Sequence, residues 1–478
     1  MSAVQQPLPL CVDCDGTLIR TDLLHESVFL LLKSSWTSIL RLPFWLLRGK
    51  AFLKQMVAER VEVDVTRLPY NDDVIELLTR ARAEGRTTVL VTASPRRQAQ
   101  QVADHVGLFD RIEATDSDVN LAGPNKAAHL EQLFGRAGFI YAGNSKTDLP
   151  VWAASAGAVV VSASSSLHQA AAKLAPVVQS IRPAGASIKS YVKAIRVHQW
   201  LKNLLVFVPL LAAHKASAGP ETLAAVLAFF AFSLCASAVY VINDLLDLPS
   251  DRVHERKRHR PFASGAVPIA HGVAMVPFLL AGAGLICTQL PMGFAATLLG
   301  YFTLTCLYSF WLKNHVIVDV MLLTSLYTMR IIAGSAATEI QPSFWLLAFS
   351  MFVFLSLAIV KRYSEMLAAF QHNKVKAAGR GYVVSDMPVL LSLGSAAGYI
   401  AILILALYVN SPDLGGLYPN EWALWMVLPP MLYWISRVWM KAHRGEMHDD
   451  PVVFAATDRQ SWILAALMAL ALWAASLS

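Results

Sequence analysis

Two acids stand one residue apart in Cys11-Val12-Asp13-Cys14-Asp15-Gly16-Thr17, at the end of the apolar run 7–12. A run of that kind reads as a buried strand, and at a strand end residues i and i+2 leave on the same face, so both carboxylates enter one pocket. Such a pair can hold a divalent cation and divide the work of nucleophile and general acid/base. A second acidic set lies far downstream, in Asn243-Asp244-Leu245-Leu246-Asp247-Leu248-Pro249-Ser250-Asp251-Arg252. Asp244, Asp247 and Asp251 are spaced three and four apart, so a continuing helix puts them on one face, with Pro249 as the place for a bend. Three carboxylates beside hydrocarbon repel one another unless a cation neutralises them. Mg2+ is the economical cation, because it keeps waters and substrate phosphates as further ligands. The basic run Glu255-Arg256-Lys257-Arg258-His259-Arg260-Pro261 follows at once. Next to an acidic metal site its cations are suited to gripping phosphate oxygens; the competing reading is a topogenic loop that binds anionic lipid.

These groups sit in two halves with different patterning. Residues 1 to about 165 alternate short apolar runs with polar stretches. Strands are expected at 7–12, 86–91, 139–142 and 157–161, with helices at 72–84 and 97–106 between them, which predicts a parallel, doubly wound α/β sheet. The Ala- and Ser-rich stretch 162–192 reads as a connecting helix and linker, with the helical half running over 196–478. There, nine apolar segments of bilayer-spanning length are expected, near 198–217, 222–243, 269–288, 292–312, 316–336, 343–361, 389–409, 421–440 and 461–477. Basic residues such as Arg196, Lys202, Arg256, Lys313, Lys361, Lys374, Lys376, Arg380 and Lys441 gather in alternate loops, whereas the opposite loops carry Lys215 and otherwise acids such as Glu339 and Asp413. The positive-inside rule then makes the basic side, and the N-terminal half with it, cytoplasmic.

Composition agrees. The 478 residues are 55% hydrophobic and only 15% charged, which points to lipid rather than to a soluble globule. The formal charge of +7 tracks the loops, and nothing supports nucleic-acid binding. Five cysteines at 11, 14, 235, 287 and 306 make no disulfide framework. Residues 1–10 lack the basic and apolar regions of a signal peptide. The stretch 27–56 is apolar but interrupted by Lys33, Arg41, Arg48, Lys50 and Lys54. It reads as a helical cap, within about 22–70, lying on the membrane surface.

Further motifs follow the first acid pair: Val89-Leu90-Val91-Thr92-Ala93-Ser94, then Lys126, then Gly143-Asn144-Ser145-Lys146-Thr147-Asp148. In order and spacing this resembles the haloacid dehalogenase (HAD) phosphatase superfamily over about 7–165. The resemblance implies Asp13 as a nucleophile forming an aspartyl-phosphate and Asp15 as acid/base. It implies Thr92, with Ser94 a lesser candidate, on the phosphoryl oxygens, Lys126 neutralising their charge, and Asp148 with Asp13 and Asp15 at Mg2+. Asn144 stands where many relatives carry an acid.

The second half resembles the UbiA superfamily of intramembrane transferases, through the NDxxDxxxD and KRxRP elements and through Tyr308-Ser309-Phe310-Trp311-Leu312-Lys313. The family's second aspartate-rich loop is replaced here by Lys361-Arg362-Tyr363-Ser364-Glu365. With Arg196-x-x-Gln199-Trp200-x-Lys202-Asn203 and Asp449-Asp450-Pro451, that departure resembles the polyprenyl-phosphate phosphoribosyltransferase branch. The branch implies phosphoribosyl diphosphate as donor, a polyprenyl phosphate as acceptor, and diphosphate release. It implies a second Mg2+ near Asn243, Asp244, Asp247 and Asp251. Substrate phosphates would fall to Lys202, Asn203, Lys257, Arg258, Arg260, Lys361 and Arg362, with Tyr308 and Lys313 beside the ribosyl group. Asp319, inside span five, is costly unless paired. The fusion suggests that the HAD half removes the 5-phosphate of the product. The rival expectation is a prenyltransferase acting on an aromatic or quinone precursor, with an inactive or regulatory HAD half; a homo-oligomer is compatible with either.

Overall fold

The strand runs of the first half are apolar on both faces because they lie inside a parallel sheet, covered by helices on each side. β1 (Leu10–Val12), β2 (Thr88–Pro95), β3 (Arg111–Thr115), β4 (Ile140–Gly143), β5 (Gly157–Val161) and β6 (Val177–Ile181) pair in the order β3-β2-β1-β4-β5-β6. Every pairing is parallel, and Cys11 at the centre of β1 lies opposite Val89 on one side and Tyr141 on the other. The chain leaves β1 toward β2 in one direction and later toward β4 in the other. The carboxyl ends of β1, β2 and β4 therefore share one edge, where α/β sheets place their ligands. The computed structural model describes residues 7–115, 120–183, 185–215, 219–371, 381–411, 414, 418–447 and 450–477. Lys374, Lys376, Arg380, Asp413 and Asp449 lie outside them.

Two strands go beyond the sequence expectation. β3 reads RIEAT and β6 reads VVQSI, neither a continuous apolar run, and β6 falls in the stretch expected to be a linker. Both are sheet edges paired on one side only, so they need no apolar covering on both faces.

Between β1 and Asn71 the chain forms the cap: α1 (Leu23–Ser34), α2 (Leu42–Leu47) and α3 (Lys50–Ala58). Asp22 caps α1, its Oδ1 accepting the amides of Leu24 at 2.8 Å and His25 at 3.1 Å. Leu31, Leu53 and Val57 form a small core with Leu24, Val28, Leu42 and Trp45 packed on it. Leu40, Phe44 and Leu46 remain exposed, and Leu47 is 85% exposed.

The chain divides into two units, Met1–Arg196 with Tyr240–Phe278, and Val197–Val239 with Leu279–Ser478. The acidic turn and basic run of the helical half thus belong to the unit that contains the sheet. Among the described residues six helices are long and apolar enough to cross a membrane: Pro220–Leu246, Ile269–Cys287, Met292–Phe310, Val318–Thr338, Phe344–Gln371 and Val384–Val409. The other three expected segments are broken or shorter. Val197–Phe207 is a 3-10 helix followed by Val208–Ala212, Leu428–His443 has 16 residues, and Arg459–Ser476 has 18.

Close packing in the second unit depends on small residues, as expected where helices must approach without water to drive them together. Ser356 Oγ donates to the Gly394 carbonyl at 2.7 Å and accepts from Trp439 Nε1 at 3.1 Å. A Cβ on Gly334 would lie 1.9 Å from the Val206 carbonyl oxygen, a backbone atom that cannot swing away. Gly334→Ala should therefore destabilise the full chain by roughly 1–3 kcal/mol, the usual cost of overpacking. The check is thermal unfolding in detergent, and a melting curve identical to wild type would contradict this contact.

Candidate active sites

β1 delivers Asp13 to the shared sheet edge, where its amide donates to the Ala142 carbonyl of β4 at 3.0 Å. Gly16 is required twice over. Its φ is +74°, and a Cβ there would fall 2.1 Å from the Asn144 side-chain nitrogen. Asp13 Oδ1 accepts Lys126 Nζ at 2.7 Å, and Lys126 Nζ also donates to Tyr141 Oη at 3.0 Å. Tyr141 in turn donates to Asp148 Oδ1 at 2.9 Å, while Asp148 Oδ2 accepts the amides of Asn144 at 3.1 Å and Ser145 at 2.9 Å. Asp15 Oδ1 accepts the Leu23 amide at 2.9 Å and Oδ2 accepts Ser94 Oγ at 2.8 Å. Thr92 is fully buried and its hydroxyl accepts the Ser94 amide at 3.0 Å, so Ser94, not Thr92, touches the acid pair.

Burial raises the Asp13 carboxyl above its usual range, with Lys126 pulling the other way. Asp15 is raised as well, by burial and then by the neighbouring Asp22, so it holds a proton more readily than a surface aspartate. Burial works against the Lys126 charge, but Asp13 and Asp148 outweigh it and its pKa rises. Cys11 and Cys14 are free and buried around the nucleophile position, and burial pushes the Cys11 thiol up to about 12. Tyr141 was not anticipated from sequence; its position within an apolar strand run hid a hydroxyl that joins Lys126 to Asp148.

The second acidic set stands where the helix Pro220–Leu246 ends and Leu248–Val253 begins. The break falls at Asp247, two residues ahead of the expected Pro249 bend, and Pro249 sits in the first turn of the new helix, where its missing N–H is tolerated. Asp244 pairs with Arg196, whose Nε lies 3.2 Å from Oδ2, and accepts Arg260 Nη1 at 3.1 Å. The same Arg260 nitrogen reaches Asp251 Oδ2 at 2.6 Å. Arg196 holds this pose at φ +54°, its guanidinium 5.1 Å from the centre of the Tyr240 ring. Asp247 Oδ1 meets Lys33 Nζ of α1 at 3.1 Å. Asp251 is raised by burial, against the pull of Arg260. Asn243 is half-buried, and Lys257 and Arg258 are exposed. Among the described residues no three His, Cys, Asp or Glu side chains converge closely enough to hold a metal ion.

In the other unit Lys202 is buried against Asp450, with Nζ 5.8 Å from the centre of the Tyr327 ring. Lys202 and Lys361 together hold the Asp450 carboxyl below the usual range although burial opposes them. Asn203 donates to Ser233 Oγ at 2.9 Å and accepts Arg330 Nε at 2.9 Å. Arg330, enclosed by Phe232, Tyr301 and Tyr327, is a second residue the sequence reading passed over; an arginine inside an apolar span was the signal. Arg362 is fully enclosed: Nε lies 2.5 Å from Asp319 Oδ2, Nη1 2.5 Å from Glu365, and Nη2 3.0 Å from Tyr308 Oη. Tyr382 completes the group by donating to Asp319 Oδ1 at 2.6 Å. Asp319 is thus paired, and Arg362 is committed to protein partners. Lys313 is half-buried in the turn Leu312–Asn314.

A helical membrane domain joined to a doubly wound α/β domain with paired acids at a strand end is therefore the class that these elements define. Residues 204–462 match the UbiA prenyltransferase family and residues 10–153 the haloacid dehalogenase-like hydrolases, and the chain belongs to the UbiA prenyltransferase family with an N-terminal HAD-like domain. It is 37% identical over 475 residues to the uncharacterized protein y4nM of Sinorhizobium fredii, covering 98% of this chain and 91% of that one. It is 39% identical over 193 residues to the decaprenyl-phosphate phosphoribosyltransferase of Mycobacterium tuberculosis, covering 39% of this chain and 63% of the relative. A solved UbiA homolog from Archaeoglobus fulgidus, bound to GPP and Mg2+, aligns with a TM-score of 0.45 at 15% identity, over 60% of this chain and 100% of that one.

Removing one partner of a buried ion pair leaves the other charge uncompensated, at a cost of about 3–5 kcal/mol. Lys126→Met should destabilise the sheet-bearing domain on that scale, and adding Asp13→Asn should recover part of the loss. Thermal unfolding of the two single variants and the double variant checks this, and strictly additive losses would show that the two side chains do not interact.

Proposed function

We propose that the membrane domain transfers the 5-phosphoribosyl group of phosphoribosyl diphosphate to a polyprenyl phosphate, and that the HAD-like domain then removes the 5-phosphate. The observation that carries the reading is the buried ion pair of Lys202 with Asp450, with Lys361 also within electrostatic reach of that carboxylate. Lys361 stands where a prenyl-diphosphate enzyme of this family has a second acidic loop, and an ammonium in place of those carboxylates suits an anionic acceptor. The similarity to decaprenyl-phosphate phosphoribosyltransferases supports the same substrates.

Mg2+ fits both acidic sets. Its usual sites use one or two carboxylates together with water and substrate phosphates, so neither set needs a complete protein cage. Asp244 and Asp251 are buried acids whose charge is balanced here by Arg196 and Arg260, a role that an incoming ion would take over from those side chains. Asn243, Asp244, Asp247 and Asp251 would hold it in one domain, and Asp13, Asp15 and Asp148 in the other. When bound it would stabilise negative charge on the departing diphosphate or the transferring phosphoryl group.

In the transfer an oxygen of the lipid phosphate attacks ribose C1 and the bond from C1 to the diphosphate oxygen breaks, releasing diphosphate. The resemblance gives the diphosphate charge to Lys257, Arg258 and Arg260, the acceptor phosphate to Lys202 and Lys361, and the ribosyl group to Tyr308 and Lys313. Arg362 acts through Tyr308, whose hydroxyl it holds at 3.0 Å. In the second step an Asp13 oxygen attacks phosphorus and Asp15 gives its proton to the leaving ribose oxygen. Water then attacks the aspartyl-phosphate, Asp15 takes its proton, and phosphate leaves. Lys126, 2.7 Å from Asp13, offsets the added charge.

The topology belongs to the same proposal. The three shorter helical segments also cross the bilayer, giving nine spans with the HAD-like domain on the cytoplasmic side. The exposed Leu40, Phe44, Leu46 and Leu47, flanked by Arg41, Arg48 and Lys50, rest the cap on the lipid headgroups.

The full chain incubated with phosphoribosyl diphosphate, polyprenyl phosphate and Mg2+ should yield ribosylated lipid without a 5-phosphate by mass spectrometry. Asp13→Asn should leave the 5-phosphate on the lipid, and Asp244→Asn should reduce ribosylated lipid by about 100-fold or more. Wild-type product that keeps its phosphate, unchanged by Asp13→Asn, would remove the second step. Formation of a prenylated aromatic compound instead would overturn the first.

A further inference from the structure

Helix α1 starts at the HAD acids and ends at the acidic turn of the transferase. At its first residue the Leu23 amide donates to Asp15 Oδ1 at 2.9 Å. Three residues on, Glu26 accepts both terminal nitrogens of Arg252, at 2.5 Å on Oε1 and 3.0 Å on Oε2. Both side chains are nearly inaccessible, 2% and 7% exposed. Thr21 Oγ1 adds a bond of 2.6 Å to Glu26, and Arg252 Nε donates to the Ala263 carbonyl at 3.0 Å. Two turns further along α1, Lys33 Nζ lies 3.1 Å from Asp247 Oδ1. On the other side of the basic run, Gly265 has φ +72°, and a Cβ there would come within 2.8 Å of the Arg20 carbonyl oxygen just ahead of α1. The segment 247–265 is therefore gripped by α1 and its lead-in at three points.

A surface ion pair would say little, because exposed pairs contribute little. The Glu26–Arg252 fork is different: it is bidentate, buried and supported by a hydroxyl and a carbonyl, so the geometry of each partner fixes that of the other. Arg252 directly follows Asp251, so fixing its guanidinium fixes the backbone that carries the acids. Lys33 puts a flexible ammonium, 41% exposed, beside one of those acids. An exposed lysine can turn from a carboxylate to an arriving phosphate oxygen with little rearrangement.

We propose that α1 of the phosphatase-like domain is a working part of the transferase centre, in which Lys33 binds the donor diphosphate beside Asp247 and Glu26–Arg252 is the positioning pair that holds the acid-bearing turn. The inference rests on the proposed role of Asp244, Asp247 and Asp251 in the transfer. It implies that separating the two domains removes a phosphate ligand from the transferase.

The test uses the full chain in lipid nanodiscs. Lys33→Gln should raise the KM for phosphoribosyl diphosphate about tenfold with kcat nearly unchanged, the scale of one lost charge-assisted hydrogen bond, and Lys33→Arg should restore it. As a readout independent of turnover, inorganic diphosphate with Mg2+ should slow tryptic cleavage within Arg256–Arg258 in wild type and much less in Lys33→Gln. Glu26→Gln should speed that cleavage and lower transfer, and the exchanged pair Glu26→Arg/Arg252→Glu should recover both. Should Glu26→Gln fail to fold, the Lys33 variants and the exchanged pair decide. Wild-type KM and wild-type protection in Lys33→Gln, with Asp244→Asn inactive, would overturn this inference and leave the proposed function standing. An Asp244→Asn variant that transfers normally would instead overturn the proposed function.

Discussion

A carboxylate removed from water keeps its charge only while a cation is held against it. In this chain that constraint binds together segments far apart in sequence. Lys126 reaches Asp13 across 113 residues, Arg196 reaches Asp244 across 48, Arg252 reaches Glu26 across 226, and Lys202 reaches Asp450 across 248. The acids that chemistry would use and the acids that hold elements together are the same kind of object, a buried negative charge with an assigned partner. The difference lies in whether an incoming phosphate or metal ion can take over one side of the pairing. Arg362, with no exposure and three protein partners, is closed to exchange, whereas Lys33, Lys257 and Arg258 are exposed to solvent.

Local patterning carried much of the architecture. The apolar run ahead of Asp13 led to β1 and to two carboxylates at a strand end, and long apolar runs led to the six helices that, among the described residues, are long and apolar enough to cross a membrane. Edge strands β3 and β6 were not legible, because a strand paired on one side carries polar residues and loses the pattern that marks its buried neighbours. Long-range pairing was not legible either: nothing in the spacing of Glu26 and Arg252 joins them, since only the folded chain brings them together.

Lys361 and Arg362 show how a sequence cluster can divide. Side by side in the chain, they looked like one cationic patch replacing an acidic loop. On a helix, however, consecutive residues point about 100° apart. Arg362 turns inward to Asp319, Glu365 and Tyr308, while Lys361 is within electrostatic reach of Asp450. The charge cluster inferred from sequence is thus divided between a buried structural lock at Arg362 and a lysine that faces Asp450.

The place of β1 at the middle of the sheet bears on how the chain is made. Its neighbours β2 and β4 begin at Thr88 and Ile140, and β6 ends at Ile181, ahead of the long apolar helices that begin at Pro220. A ribosome thus releases every strand before the first of those helices enters the bilayer, and domains made first generally fold first. Glu26 must then wait, buried-to-be and without its arginine, until residue 252 emerges. Nascent chains stalled before that point would carry Glu26 on α1 with no arginine to balance it.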